Sequence, residues 1–338
     1  MTNRHQLTDA NEEELQTQIE CVLLDKQQKI LFAKPEAAMC LFRPDGTVVA
    51  SDHYRLTKYD RAGEVLWEQP FASHHMLRES SDGTILILTS EVKTWGGQTH
   101  RFDRVEKVSQ STGAILYSFS LAKNFDQLVS LAGLKTQPQP ESAFWQIDQQ
   151  SQTEMTHANS AYEIPENALA EKNPAFAAGN VIVNVNTMGL FFILDSKLKK
   201  PLWAAAYLPP NKHRLHDVQV LKNGHLLVFN NYSNASPPYV SSLDEYDVET
   251  GKVVWRFQPE NPKTLASLWV GSVQALKNGN IFYSDMTSGG FAVEIDRAGR
   301  EISRQKHWAL DRKGQPRPFQ EAKRANFAEF LSRAKQNP

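Results

Sequence analysis

The stretch from His216 to Pro259 reads as four strands in succession. HDVQVL runs from His216 to Leu221, turns at Asn223-Gly224, and continues as HLLVFNN to Asn231. SSLDEYD from Ser241 to Asp247 follows, then a turn closing at Gly251, then KVVWRF from Lys252 to Phe257. Each run is short, apolar or aromatic, and bounded by turn residues, the pattern of an antiparallel meander. Asn-Gly is the strongest short hairpin signal, because a type I′ turn needs positive φ at both central positions.

The unit repeats on both sides. From Trp269 onward, VGSVQAL precedes Asn278-Gly279, and NIFYSD, GFAVEID, Gly299 and REISRQ follow. Copies also start at Met39, with Asp45-Gly46, Gly63 and Trp67, and at His74, with Asp82-Gly83, Gly113 and Tyr117. A divergent fifth copy spans Thr153 to Tyr207, with GNVIVNV, LFFILD and Trp203. CVLLD and ILFAK, within residues 21–34, supply part of a sixth. Repeated four-stranded units predict an all-β fold, a β-propeller of about six blades, closed by joining N- and C-terminal strands so that no sheet edge is left open. An aromatic four residues after the second-turn glycine, at Trp67, Tyr117 and Trp255, is read as packing between blades.

Around the repeat, residues 1–20 read as a helical or irregular segment with a capping signature at Asp9 and Glu12, and 21–310 as the propeller with an insertion at 122–150. Residues 311–338 are expected to form an amphipathic helix packed on the propeller, from Phe319, Ala322, Phe327, Phe330 and Leu331. The 338 residues carry 37 basic and 38 acidic side chains, so no basic field points to nucleic acid. No apolar run reaches the length of a membrane span, and the polar first 20 residues show no leader, which reads as a soluble chain. Cys21 and Cys40 have no metal or redox spacing and read as two buried thiols, one bridge remaining open in an oxidising compartment.

In a propeller the first strand of each blade lines the central channel, so residues just before each first turn converge. His74 and His75 begin one such strand, His157 stands in MTHANS, His213 and His216 flank another, and Ser272 occupies the place in the following repeat. His5, His53, His100, His225 and His307 fall outside this register. A metal held by the histidines is disfavoured because no carboxylate stands beside each of them in sequence, and Asp217 should face away from His216 on the same strand.

These residues resemble the arylsulfotransferase family of six-bladed propellers, through SHHMLRESSDGTILILT, MTHANSAYEIPENALAEKNPAFAAGNVIV, LHDVQVLKNGHLLVFNN and VGSVQALKNGN. The resemblance implies sulfuryl transfer from a small aryl sulfate to a phenol through a sulfohistidine, without a cofactor or metal. It points to His216 as nucleophile, with His157 and His75 as further catalytic groups. It also points to Asn159 around the substrate and to Asn186 where the family carries an arginine, and the channel register adds His74 as a substrate-binding candidate. Arg214 stands two residues before His216 as a cation that could replace that arginine. Exported family members imply a periplasmic setting where a leader has been removed. Two other readings stay open: a non-catalytic propeller binding a ligand or protein at the channel mouth, favoured by the exchanged arginine, and a metal- or redox-dependent enzyme. The sequence leaves the oligomeric state undecided.

Overall fold

A computed structural model describes residues 20–24, 30–35, 37–43, 45–135, 138–142, 153–207, 215–231, 240–261, 265, 267, 270–285 and 291–306. The expected terminal helices, at 8–20 and 311–338, and the proposed ring closure lie outside these residues, except that Glu20 begins the first strand. The chain divides into two compact units, one of 1–118, 142–154 and 325–338, the other of 119–141 and 155–324.

In the first unit, β1 (Glu20–Leu24) and β2 (Ile30–Pro35) form a two-stranded antiparallel hairpin where part of a sixth blade was expected. The first blade is β3 (Met39–Phe42), β4 (Val48–Ser51), β5 (Arg55–Tyr59) and β6 (Val65–Pro70), paired in chain order. The second is built on β7 (Ser73–Glu79), β8 (Thr84–Trp95), β9 (Gln98–Ser109) and β10 (Ile115–Ser120). Within the expected insertion, α1 (Phe125–Leu131) is a short helix in the second unit. The long hairpin of β8 and β9 outruns β10, and its free edge is filled by β12 (Thr153–Glu154), with β11 (Glu141–Ser142) beyond it. Thr153 and Glu154 therefore belong to the second blade, where the sequence reading assigned them to the next.

The second unit holds three blades, each paired in chain order. They are β13 (Ala158–Glu163), β14 (Val181–Val185), β15 (Leu190–Leu194) and β16 (Pro201–Ala206); β17 (Leu215–Val220), β18 (Leu226–Asn230), β19 (Ser242–Asp247) and β20 (Lys252–Phe257); and β21 (Ser272–Ala275), β22 (Ile281–Asp285), β23 (Phe291–Ile295) and β24 (Glu301–Lys306). The fold is a β-propeller in which the described residues make five blades rather than the expected six.

Burial falls from the middle of each blade outward. β14, β15 and β18 are buried throughout, whereas β6 and β20 alternate exposed and half-buried positions. The outer strands are held by the tryptophans. Trp67 Nε1 donates to the Gln110 carbonyl at 2.9 Å and Trp255 Nε1 to that of Arg297 at 2.9 Å, each in the second turn of the following blade. A Cβ on Gly113 would sit 2.8 Å from the Trp67 ring, so the turn glycine makes room for the indole. The first-turn signals work differently from the expected type I′ geometry. Only the glycine has positive φ, Gly224 at 89°, and it donates to Leu221 at 2.9 Å. This is a type I turn closed by a glycine bulge. The Asn or Asp acts through its side chain: Asn223 Oδ1 accepts from His225 N at 3.0 Å, and Asp82 Oδ1 from Thr84 N at 3.0 Å.

Cys21 and Cys40 are joined as a disulfide with Cα atoms 5.9 Å apart, correcting the expectation of two free thiols and tying β1 to β3. Among the described residues no helix is long and apolar enough to cross a membrane.

Candidate functional site

The first strands of the blades fall into two kinds. In β13, Ala158 pairs with Val185 and Ser160 with the adjacent Asn184, so Asn159 is left out of the ladder. In β17, His216 pairs with Phe229 and Val218 with Val228, so Asp217 is extra, at φ 52°. In β7, His74 pairs with Leu88 and Leu77 with Ile87, so His75 and Met76 are extra, His75 at φ 62°. β3 and β21 run without interruption. Bulges re-aim side chains, and a non-glycine residue at positive φ stores of order 1–3 kcal/mol that the surroundings must hold. The interrupted strands are the ones that carry the candidate residues.

The bulges also correct the expected register of the imidazoles. His74 and His216 both stand immediately before a bulge, while His157 lies two residues before Asn159, just ahead of β13. His157 is fixed through its backbone. Its N–H donates to Thr187 Oγ1 at 3.1 Å and its carbonyl accepts from Asn186 N at 2.8 Å, which places Asn186 opposite His157 across the strand pair.

Within the second unit, β13 packs beside β17, and side chains stitch the two together. Asn159 Nδ2 and Asn184 Nδ2 both donate to the Leu215 carbonyl at 2.7 Å, and Val218 N donates to Ser160 Oγ at 3.2 Å. Leu215 precedes His216, so Asn159 is anchored one residue from the candidate nucleophile. Asp217, the extra residue, accepts through Oδ2 from Val273 N at 2.9 Å and ties β17 to β21, so the simple strand alternation expected between it and His216 does not apply. His216 is 6% exposed, and its Nδ1 lies 2.6 Å from Asn231 Oδ1. Asn231, fully buried, donates through Nδ2 to the Ser267 carbonyl at 2.7 Å and the Val270 carbonyl at 2.9 Å.

In the first unit, His74 Nε2 lies 3.1 Å from Asp103 Oδ1, both side chains buried, so this histidine does have a carboxylate beside it, contrary to the sequence reading. His75 is half-buried and meets the His74 ring edge-on with centroids 5.0 Å apart. His53, in the loop after β4, places Nδ1 3.1 Å from the Ser73 carbonyl.

Several arginines have ion-pair or carbonyl partners among the described residues. Arg55 is bound to Asp52 through Nε and Nη2 at 2.9 and 2.7 Å, and Arg78 Nη1 donates to the Leu77 carbonyl at 2.7 Å. In the second unit, Arg256 grips Asp244 through Nε and Nη2 at 2.8 and 2.9 Å, and Arg300 binds Asp296 at 2.7 Å. Arg214 and His213 lie outside the described residues. No group of three or more histidine, cysteine or carboxylate side chains able to hold a metal occurs among the described residues.

Asn184 and Asp103 were not singled out from sequence, and the resemblance places Asn231 in Phe229-Asn230-Asn231-Tyr232, where the family carries Phe-Asp-Asn-Gly, without giving it a role. The signal for the asparagines was present: Asn184 interrupts the apolar run VIVNV, and Asn231 ends the run HLLVFNN. A buried amide in an apolar strand needs a partner.

The sequence model of the family described as arylsulfotransferase (ASST) matches residues 47–307. The chain belongs to the arylsulfotransferase family. No curated protein matches it in sequence. Among solved structures, a protein of unknown function from Bacteroides caccae matches with TM-score 0.53 and 13% identity, over 85% of this chain and 90% of that one. Saccharomyces cerevisiae Sqt1 matches with TM-score 0.43 and 12% identity, over 82% and 76%. The first supports the fold of this arylsulfotransferase-family chain; at such identity neither bears on its chemistry.

Proposed function

We propose that this arylsulfotransferase-like propeller transfers a sulfuryl group from a small aryl sulfate to a phenol, with His216 as nucleophile. The supporting observation is the bond from Asn159 to the Leu215 carbonyl, which holds the His157-x-Asn159 motif against the strand that carries His216. In the proposed step, the Nε2 lone pair of His216 attacks sulfur. The bond from sulfur to the aryl oxygen breaks, and the phenolate leaves with its electron pair. The acceptor phenol then gives up its proton, which neutralises the released phenolate, while its oxygen attacks sulfur and displaces the imidazole, which returns to its starting form. His157 and the second N–H of Asn159 steady the charge on the sulfuryl oxygens, and Asn186 stands opposite His157 to add a further amide. For His75, His74 and Arg214 the proposal carries over the roles read from the sequence. No cofactor enters the step.

The test is release of phenolate from a chromogenic aryl sulfate in the presence of a phenol acceptor and a metal chelator. Turnover that survives chelation and disappears in His216→Ala supports the proposal. Absence of turnover with several donors in a folded protein overturns it. A second reading, a propeller that binds a ligand without chemistry, draws on Asn186 standing where the resemblance places the family's arginine. Binding of aryl sulfates without turnover would favour it.

A further inference from the structure

We infer that Asn231 is a positioning residue which locks the neutral His216 ring in the Nδ1–H tautomer, so that its lone pair is presented at Nε2. This rests on the proposal that His216 is the nucleophile, but the geometry behind it does not involve substrate. An asparagine amide can face two ways. Here Nδ2 has two carbonyl acceptors, Ser267 at 2.7 Å and Val270 at 2.9 Å, which use both of its hydrogens. Turning the amide over would set Oδ1 against two carbonyl oxygens, so the orientation is decided by those partners rather than by the histidine. Oδ1 therefore faces His216 Nδ1 at 2.6 Å, and an amide oxygen can only accept. The hydrogen in that contact must belong to the imidazole.

The arrangement has a chemical purpose in the proposed reaction. As Nε2 bonds to sulfur, positive charge develops on the ring, and the bond from Nδ1–H to a fixed acceptor strengthens as it does. A carboxylate at position 231 would hold the same tautomer but would favour the protonated imidazolium, which has no lone pair. An amide orients the ring without promoting its protonation. The mount is rigid: Asn231 is fully buried, and Ser241 Oγ bonds both its carbonyl and that of Ser267, each at 3.1 Å. Among the described residues, few titratable groups share the surroundings. His157 precedes β13, Tyr162 and Glu163 end that strand, and Asp217 adjoins His216 on β17, while β14, β18 and β21 carry none.

The experiment is a nitrogen-15 NMR measurement of histidine tautomers in the full-length protein, with the His216 signal assigned by its loss in His216→Gln. The expected result is protonated Nδ1 and unprotonated Nε2 in the neutral wild type. A wild-type His216 with its proton on Nε2 overturns the inference, whether or not the enzyme turns over aryl sulfate. In an active enzyme, Asn231→Leu should lower kcat by roughly 100-fold or more with KM changed far less, since a wrong tautomer disables an imidazole of this kind. Asn231→Asp should keep the tautomer and move the acid limb of kcat/KM up by about one to two pH units. An unmoved limb in a folded Asn231→Asp protein would contradict the assignment.

Discussion

The blades β17–β20 and β21–β24 begin from nearly the same text, VQVLKNGHLLVF at 218–229 and VQALKNGNIFYS at 273–284. Both turn at Asn-Gly with the same glycine geometry, and both pair their four strands in chain order. They part at one residue. Asp217 is extra in β17, so His216 comes to stand opposite Phe229, where β21 places Ser272 opposite Ser284. The repeat builds the blade. The inserted residue, with the strain and the new hydrogen bond it brings, sets apart the blade on which we propose the chemistry takes place.

The sharpest way to break this comparison is to remove the imidazole. His216→Ala should reduce sulfuryl transfer by at least about 1000-fold while thermal unfolding is nearly unchanged, whereas Ser272→Ala should leave turnover within about threefold. A smaller effect is expected at the bulge. Asp217→Val places a β-branched residue at positive φ and removes the acceptor of Val273 N, costing about 2–3 kcal/mol and at least about tenfold in kcat. Asp217→Asn tolerates the conformation and keeps an acceptor, so it should stay near wild type in both urea unfolding and rate. Equal behaviour of the two variants would remove the bulge from the account.

The blade scaffold itself should be separable from the chemistry. Trp255→Phe loses the indole bond to the Arg297 carbonyl and should lower stability by about 1 kcal/mol in calorimetry, with kcat/KM unchanged. Smallest of all is the acid response of the turn beside it. Burial alone would raise the carboxyl of Glu245, but hydrogen bonds from His225, Asn223 and Arg297, with the charge of Arg297, hold it below its ordinary 4.5. A depressed carboxylate stabilises the fold above its unfolded value, and that contribution fades as pH falls below about 4.5 through the folded one. Stability measured from pH 6 down to about 3 should therefore decline less steeply in Glu245→Gln than in the wild type.

Much of the fold was legible because hairpin chemistry is local. Asn223-Gly224, Asp82-Gly83 and their counterparts mark the first turns, and the aspartates ending the third strands cap the second turns, as Asp247 does by accepting from Glu249 N at 2.9 Å. The turn type was misjudged, since Asn or Asp before glycine serves a type I turn with a glycine bulge as well as type I′. The blade between Ala158 and Ala206 was the faintest, because its first turn is replaced by 3₁₀ segments at Ala168–Glu171 and Pro174–Phe176. The histidines suggested one common register, which the bulges break, and the bulges were not legible because an extra residue in a strand changes no residue type. Asp103 beside His74 and Asn231 beside His216 come from neighbouring strands and loops, so the pairings are not legible along the chain even where, as at Asn231, a polar residue ending an apolar run is.

The central claim is that the bulged β17 presents His216 as a nucleophile. The most direct test is to mix the protein with an aryl sulfate in the absence of acceptor, quench at alkaline pH, and map the peptides by mass. The account predicts one added SO₃ group on the peptide containing His216, absent in His216→Ala and discharged on addition of a phenol. A sulfuryl group found on another residue, or turnover with an unmodified His216 peptide at every time point, would contradict it.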